Sequence, residues 1–161
     1  MSGPAVVTRE IDAPSEAVWA VLRDGWLFAG WVVGASRIRS VDAEWPAPGS
    51  RIHHSVGVWP ALIDDSTRAI SADAGRELVL AARAWPAGEA TVRLGITTLG
   101  ERTLVRMTED VTAGPVRIVP GTIRQLMLVP RNRESLRRLA LLAEGRAGAL
   151  SSNAHQGQRK S

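Results

Sequence analysis

A chain of 161 residues with 45% apolar content has room for one domain, a real core and an internal cavity. It holds no cysteine, which excludes disulfides, thiolate metal sites and a cysteine nucleophile. The net charge of +4 is uneven: residues 122–161 carry eight Lys and Arg against two Glu, and residues 1–121 carry twelve against fourteen Asp and Glu. A basic final helix is in most chains a solvated face. Six Trp, one Phe and no Tyr argue against a stacking platform for nucleic acid, so no nucleic-acid partner is expected. The opening MSGPAVVTREIDAP lacks the charged head and apolar run of a signal peptide, and no stretch is apolar over membrane-spanning length. The expectation is a cytoplasmic protein without integral membrane contact.

In chain order, Val6 to Asp12 alternates as a first strand, with Val7 and Ile11 on one side and Arg9 between them. Asp12-Ala13-Pro14 opens a short helix to about Arg23, with Val18, Val21 and Leu22 as its apolar stripe and Trp19 beside it. Asp24 to Gly34 gathers Trp26, Phe28 and Trp31 between glycines and reads as a second short helix or a lid-like turn. Those aromatics either cap the core or wall the mouth of an apolar pocket.

From Ser36 the period drops to two. Strands are expected at Ser36–Glu44, Arg51–Trp59, Ala61–Ile70, Glu77–Trp85, Glu89–Leu99 and Thr103–Val111. The turns between them are WPAPGS at Trp45–Ser50, Pro60, Ala72–Gly75, Pro86-Ala87-Gly88 and Gly100-Glu101. Consecutive strands with short connections make an antiparallel sheet.

After an irregular link at Val116–Gly121, Thr122 suits the cap of a helix that Pro130 should kink or break. The stretch Arg131–Gly145 follows, with Leu136, Leu139, Ala140 and Ala143 forming one apolar stripe and Gly145 suiting a stop. Such a one-sided helix must bury its stripe, and the sheet is the surface available. The expected division is a single domain over residues 1–146 and a flexible polar tail over 147–161.

This order of elements, with EIDAPSEAVWAVLRD near the start and RNRESLRRLALLAE near the end, resembles the polyketide cyclase/dehydrase and lipid-transport superfamily. That is the START-like (SRPBCC, helix-grip) group, which includes the birch-pollen allergen type. The resemblance covers about residues 5–146. It implies an α+β helix-grip fold in which a curved seven-stranded antiparallel sheet wraps a long C-terminal helix, with two short helices after the first strand. It also implies a largely apolar cavity for a lipid, polyketide or quinone. Some members catalyse cyclisation or dehydration, but the group shares no catalytic signature to transfer.

If the more apolar face of each strand points inward, the cavity receives Ile52, His54, Val56 and Val58, then Val92, Leu94 and Ile96, then Val105, Met107 and Glu109. Trp19, Trp26, Phe28, Trp31 and Met127 would add packing. His54, Glu109 and Arg9 would be the few polar groups that orient a ligand. A carboxylate walled by apolar groups suits acid–base work unless a cation such as Arg9 pairs with it. His54 could hydrogen-bond a ligand carbonyl, act as a base, or be satisfied by a backbone carbonyl. His53 and His54 point to opposite faces of a strand and His155 lies in the tail, so no metal site is expected. Asp64 and Asp65 diverge for the same reason, and no nucleophile elbow, phosphate loop or dinucleotide fingerprint is present.

The leading expectation is therefore binding of a hydrophobic or amphipathic small molecule, without a cofactor. A polyketide cyclase or dehydratase using His54 or Glu109 is the alternative. The third reading is a protein-interaction module with a collapsed cavity, docking through the basic helix face or an apolar patch around Trp26 and Trp31. The oligomeric state is left open, a homodimer included.

Overall fold

The computed structural model describes residues 3–84 and 88–158, and the side chains of Val58, Ala84 and residues 155–158 lie outside that description. Strand β1 (Ala5–Ile11) is followed by helix α1 (Ser15–Leu22), a 3-10 turn at Gly25–Leu27 and helix α2 (Phe28–Trp31). The strands β2 (Ala35–Val41), β3 (Arg51–Val58), β4 (Ala61–Asp73), β5 (Glu77–Ala84), β6 (Gly88–Leu99) and β7 (Arg102–Ala113) come next. A 3-10 turn at Pro115–Ile118 leads into helix α3 (Gly121–Gln158). The turn expected around Pro86 and Ala87 lies outside the described residues.

All neighbouring strands are antiparallel, in the order β1-β7-β6-β5-β4-β3-β2, so β1 and β2 are the edges of one seven-stranded sheet. The alternation read from β3, β6 and β7 holds: Ile52, His54, Val92, Leu94, Val105, Met107 and Glu109 are all buried. Register shifts fall elsewhere, in β2, at Ala69/Ser71 of β4 and at the start of β6.

Helix α1 starts one residue after Pro14, which stands at the N-cap in extended conformation, and buries Val18, Val21 and Leu22. Asp24 caps the following 3-10 turn by accepting from the Trp26 amide at 3.2 Å. The residue that points into the core there is Gly25, where a Cβ would run into Val41 and Ile52. Trp26, next along the turn, therefore faces out.

Helix α3 packs on β1, α1, α2 and β7. Its stripe of Leu136, Leu139, Ala140 and Ala143 is fully covered, which contributes about 1.5–3 kcal/mol for each leucine. On the outer face Glu134 lies between Arg137 and Arg138, and the hydrogen bond from Arg137 is the main cause that holds its carboxyl down to about 2.

Two expectations about this helix are corrected. Of the kink or break expected at Pro130, the break does not occur: the bond lost is the one to the Leu126 carbonyl, and Leu126 and Pro130 are both exposed, so water can replace the missing donor. Gly145 does not end it either. A helical glycine costs only about 1 kcal/mol, and the turns around it are held by Ala143 and Ala147 against the core and by an Arg146–Asp24 ion pair at 3.1 Å. Residues 147–158, within the tail expected to be flexible, continue the helix.

Candidate functional site

Along each central strand the inward face changes character. At the end nearest α1, Ile52 of β3, Leu94 and Ile96 of β6 and Val105 of β7 pack solidly with Leu136 and Leu139. Toward the other end the same faces separate from α3 and line a cavity of about 340 Å³. That volume is in the range of small-molecule sites. Its strand walls include Val56, Leu80, Val92, Met107 and Val111. Helix α2 supplies Phe28 and Trp31, whose rings meet edge to face at 5.4 Å. Helix α3 supplies Met127, Leu128, Arg131, Asn132 and Ser135.

The polar groups fall into two clusters. On β7, Glu109 is buried, and its Oε2 accepts from Asn132 Nδ2 at 2.8 Å and from Arg131 Nη2. Arg131 also donates to Asn132 Oδ1, through Nε at 3.3 Å and Nη2 at 3.2 Å. Carboxylate, guanidinium and amide thus form a closed ring of charge-assisted bonds that ties the sheet to α3. The Arg131 side chain stays part-exposed, so its remaining N–H groups are open to a ligand.

On β3, the His54 ring is 3% exposed and stacks at a tilt on Phe28, with centroids 5.4 Å apart. Its Nε2 is 3.0 Å from Thr67 Oγ1 on β4, while Nδ1 has no hydrogen-bond partner among the described residues. Burial is the main cause that lowers the His54 pKa below 6.5, with Asp65 opposing. A neutral imidazole is therefore the favoured form, and Nδ1 can accept from a hydroxyl or donate to a carbonyl according to tautomer. A buried nitrogen without a partner is costly in an empty site and is met by a ligand atom or water.

Of the sequence candidates, Phe28, Trp31, His54, Met107, Glu109 and Met127 line this cavity. Leu94 lies deeper, in the solid core. The side chain of Val58 is outside the described residues. Arg9 is exposed: β1 is an edge strand, and a long side chain there can turn around the edge into water. It does not reach Glu109, whose cation is Arg131. Trp19 and Trp26 line a separate, open groove with Trp45 and Pro46.

The sequence reading missed Arg131, Asn132 and Thr67 as site residues. A signal for Asn132 existed: with Ser135 it continues the spacing of Leu136 and Leu139 toward the start of the helix, as polar residues on a buried stripe. Asn132 and Ser135 are both covered, and Ser135 Oγ accepts from the Val33 amide at 3.1 Å, holding the α2–β2 connection against α3. Among the described residues no group of three or more His, Asp or Glu is placed to hold a metal ion.

A curved antiparallel sheet closed by one long helix, with a lined cavity between them, is the helix-grip architecture of START-like proteins. The chain belongs to the polyketide cyclase/dehydrase and lipid transport family, whose model matches residues 5–144. Its fold is similar to that of the Zhui aromatase/cyclase from Streptomyces sp. R1128, at 19% identity and a TM-score of 0.65 over 89% of this chain and 94% of that one. A START superfamily protein from Mycobacterium smegmatis is similar at 19% identity and a TM-score of 0.63, over 92% and 99% of the two chains. Protein CV1439 from Chromobacterium violaceum is similar at 16% identity and 0.65, over 89% and 99%. At these identities the likeness is one of fold. No curated protein matches the chain in sequence.

Proposed function

We propose that the protein binds one hydrophobic or amphipathic small molecule, of lipid, polyketide or quinone class, in the cavity between α3 and the sheet. The observation that supports this most is the cavity itself: about 340 Å³, walled mainly by apolar side chains, with polar groups gathered at two places. A ligand with an apolar body would displace water from Val56, Leu80, Val92 and Met107. One polar end would meet the unpaired Nδ1 of His54, and another the free N–H groups of Arg131.

A cyclase or dehydratase in which His54 and Glu109 act on one carbonyl has less support. Strands β3 and β7 are separated by β4, β5 and β6. Four strand spacings amount to roughly 19 Å along the sheet, less across its curve. Glu109 is also committed to Arg131 and Asn132. These positions suit the two ends of one elongated ligand better than a single reacting atom.

Native mass spectrometry of protein isolated gently from its own host, followed by solvent extraction, tests the reading. The expected result is a small-molecule adduct of near-equal stoichiometry that is lost in Ala82→Trp, a substitution that fills the cavity from β5. Wild-type protein that stays empty after incubation with lipid and aromatic extracts would overturn it.

A further inference from the structure

The start of α3 and the turn before it leave large apolar side chains in water. Ile118 is 86% exposed, Leu126 75% and Met127 65%, and Ile123 is exposed as well. Ile123, Leu126 and Met127 recur at spacings of three and four, so they share one side of the helix. By helical geometry that side is opposite the buried stripe of Asn132, Leu136 and Leu139. Single exposed apolar residues are ordinary, but a group of them within ten residues marks an interaction surface.

This group lies at the cavity mouth. Val116 and Met127 border the cavity. The antiparallel order places the C-terminal ends of β3, β5 and β7 at one end of the sheet, the end from which the chain enters α3. At that same end the β3–β4 hairpin carries Trp59, 81% exposed. Gly57 in this hairpin has φ 113° and backs onto the Ala61 carbonyl, so the turn that presents Trp59 is tight. Exposed apolar groups thus stand on both the helix side and the sheet side of this end.

Along the segment that leads into α3 the charge has one sign, and of the acidic groups at this end of the sheet Asp64 and Glu89 are paired with Arg39 and Arg83, while Asp110 is exposed. From Val111 to Arg133 the chain has four arginines and no Asp or Glu. Arg131 is engaged with Glu109, whereas Arg117, Arg124 and Arg133 form no ion pair with any described residue. We propose that this end of the molecule docks on an anionic lipid surface, with Ile118, Ile123, Leu126 and Trp59 entering the headgroup boundary and Arg117, Arg124 and Arg133 meeting lipid phosphates. Apolar side chains flanked by arginines are the pattern of a helix that lies in an interface. No helix among the described residues is long and apolar enough to cross a membrane, so the contact is peripheral. A two-fold pairing of this face with a second copy would set the same arginines against each other. A nucleic acid would leave the isoleucines and leucine without a partner. Docking here would place the cavity mouth against the bilayer, where an apolar ligand could pass without crossing water.

Co-sedimentation of the full chain with vesicles of phosphatidylcholine and phosphatidylglycerol, against vesicles of phosphatidylcholine alone, tests this. The protein is expected to sediment with the anionic vesicles only, and less so as sodium chloride is raised. The double variant I118E/L126E should lose roughly tenfold or more of that binding. Leu150→Glu, exposed on the same helix outside the patch, should keep it, and far-ultraviolet circular dichroism checks that all variants fold. The proposal is overturned if wild type ignores anionic vesicles or if I118E/L126E binds them as well as wild type. It is equally overturned if wild type is a dimer that I118E/L126E dissolves while neither binds vesicles, since a second copy would then be the occupant. Protein stripped of small molecules serves equally, because the surface lies outside the cavity, so an empty cavity and a failed docking are separate results.

Discussion

His54 and Glu109 are both buried polar residues facing one cavity, and their surroundings treat them differently. Glu109 has a cation and an amide on the same oxygen and completes a ring that joins β7 to α3. His54 has one ring nitrogen beside Thr67 and the other without a partner. Its pKa is lowered from 6.5, chiefly by burial. The folded state therefore takes up a proton at lower pH than the unfolded state does. Stability from this residue is complete above pH 6.5 and falls as pH drops through 6.5 toward and past the folded value. Urea midpoints measured between about pH 8 and about pH 5 should fall less steeply for His54→Gln than for wild type. Parallel profiles would mean that His54 is not the titrating group. The inward placement of His54 and Glu109 was legible from strand alternation, which is local. The partner of Glu109 was not, because Arg131 lies 22 residues away on another element and meets it only through the crossing of helix and sheet.

At the scale of elements, α3 determines the most and conforms least to its own local signals. Pro130 and Gly145 both argue for a shorter helix, and packing overrides both. The cost of Pro130 should still be recoverable. Pro130→Ala restores a donor for the Leu126 carbonyl at an exposed position and should stabilise the protein by about 1–3 kcal/mol, read as a higher urea midpoint. An unchanged midpoint would show that water already replaces the missing bond in full. Helix α2 shows the converse case: only four residues long, it takes its place from Phe28 and Trp31 and from the Val33–Ser135 bond rather than from helical propensity.

For the whole molecule, the cavity divides the structure into a packed half near α1 and a cavity-lining half near α2. A ligand that binds only the folded state adds stability by mass action. At a free concentration about a hundredfold above its Kd it adds about 2.7 kcal/mol, equivalent to a rise in Tm of roughly 5–10 °C for a domain of this size. Stripping the small molecule from protein taken from its host should lower Tm by a comparable amount, and adding the extract back should restore it. Ala82→Trp, with the cavity filled, should show neither change in differential scanning calorimetry.

The sequence by itself determined the order of elements, the antiparallel sheet, the inward face of β3, β6 and β7 and the apolar stripe of α3, because periods of two and of three to four are written in adjacent residues. Tertiary structure decided what those faces enclose. Trp19 and Trp26 look like cavity residues in the sequence and line a separate groove in the fold, Trp26 because Gly25 takes the inward position of its turn. Arg9 shares a strand face with Val7 and Ile11 yet turns to water at the sheet edge, while Arg131, outside the apolar stripe of α3, closes the ring on Glu109. Alternation says which way a side chain leaves the backbone, and only the packing of helix on sheet says whether it meets core, cavity or solvent.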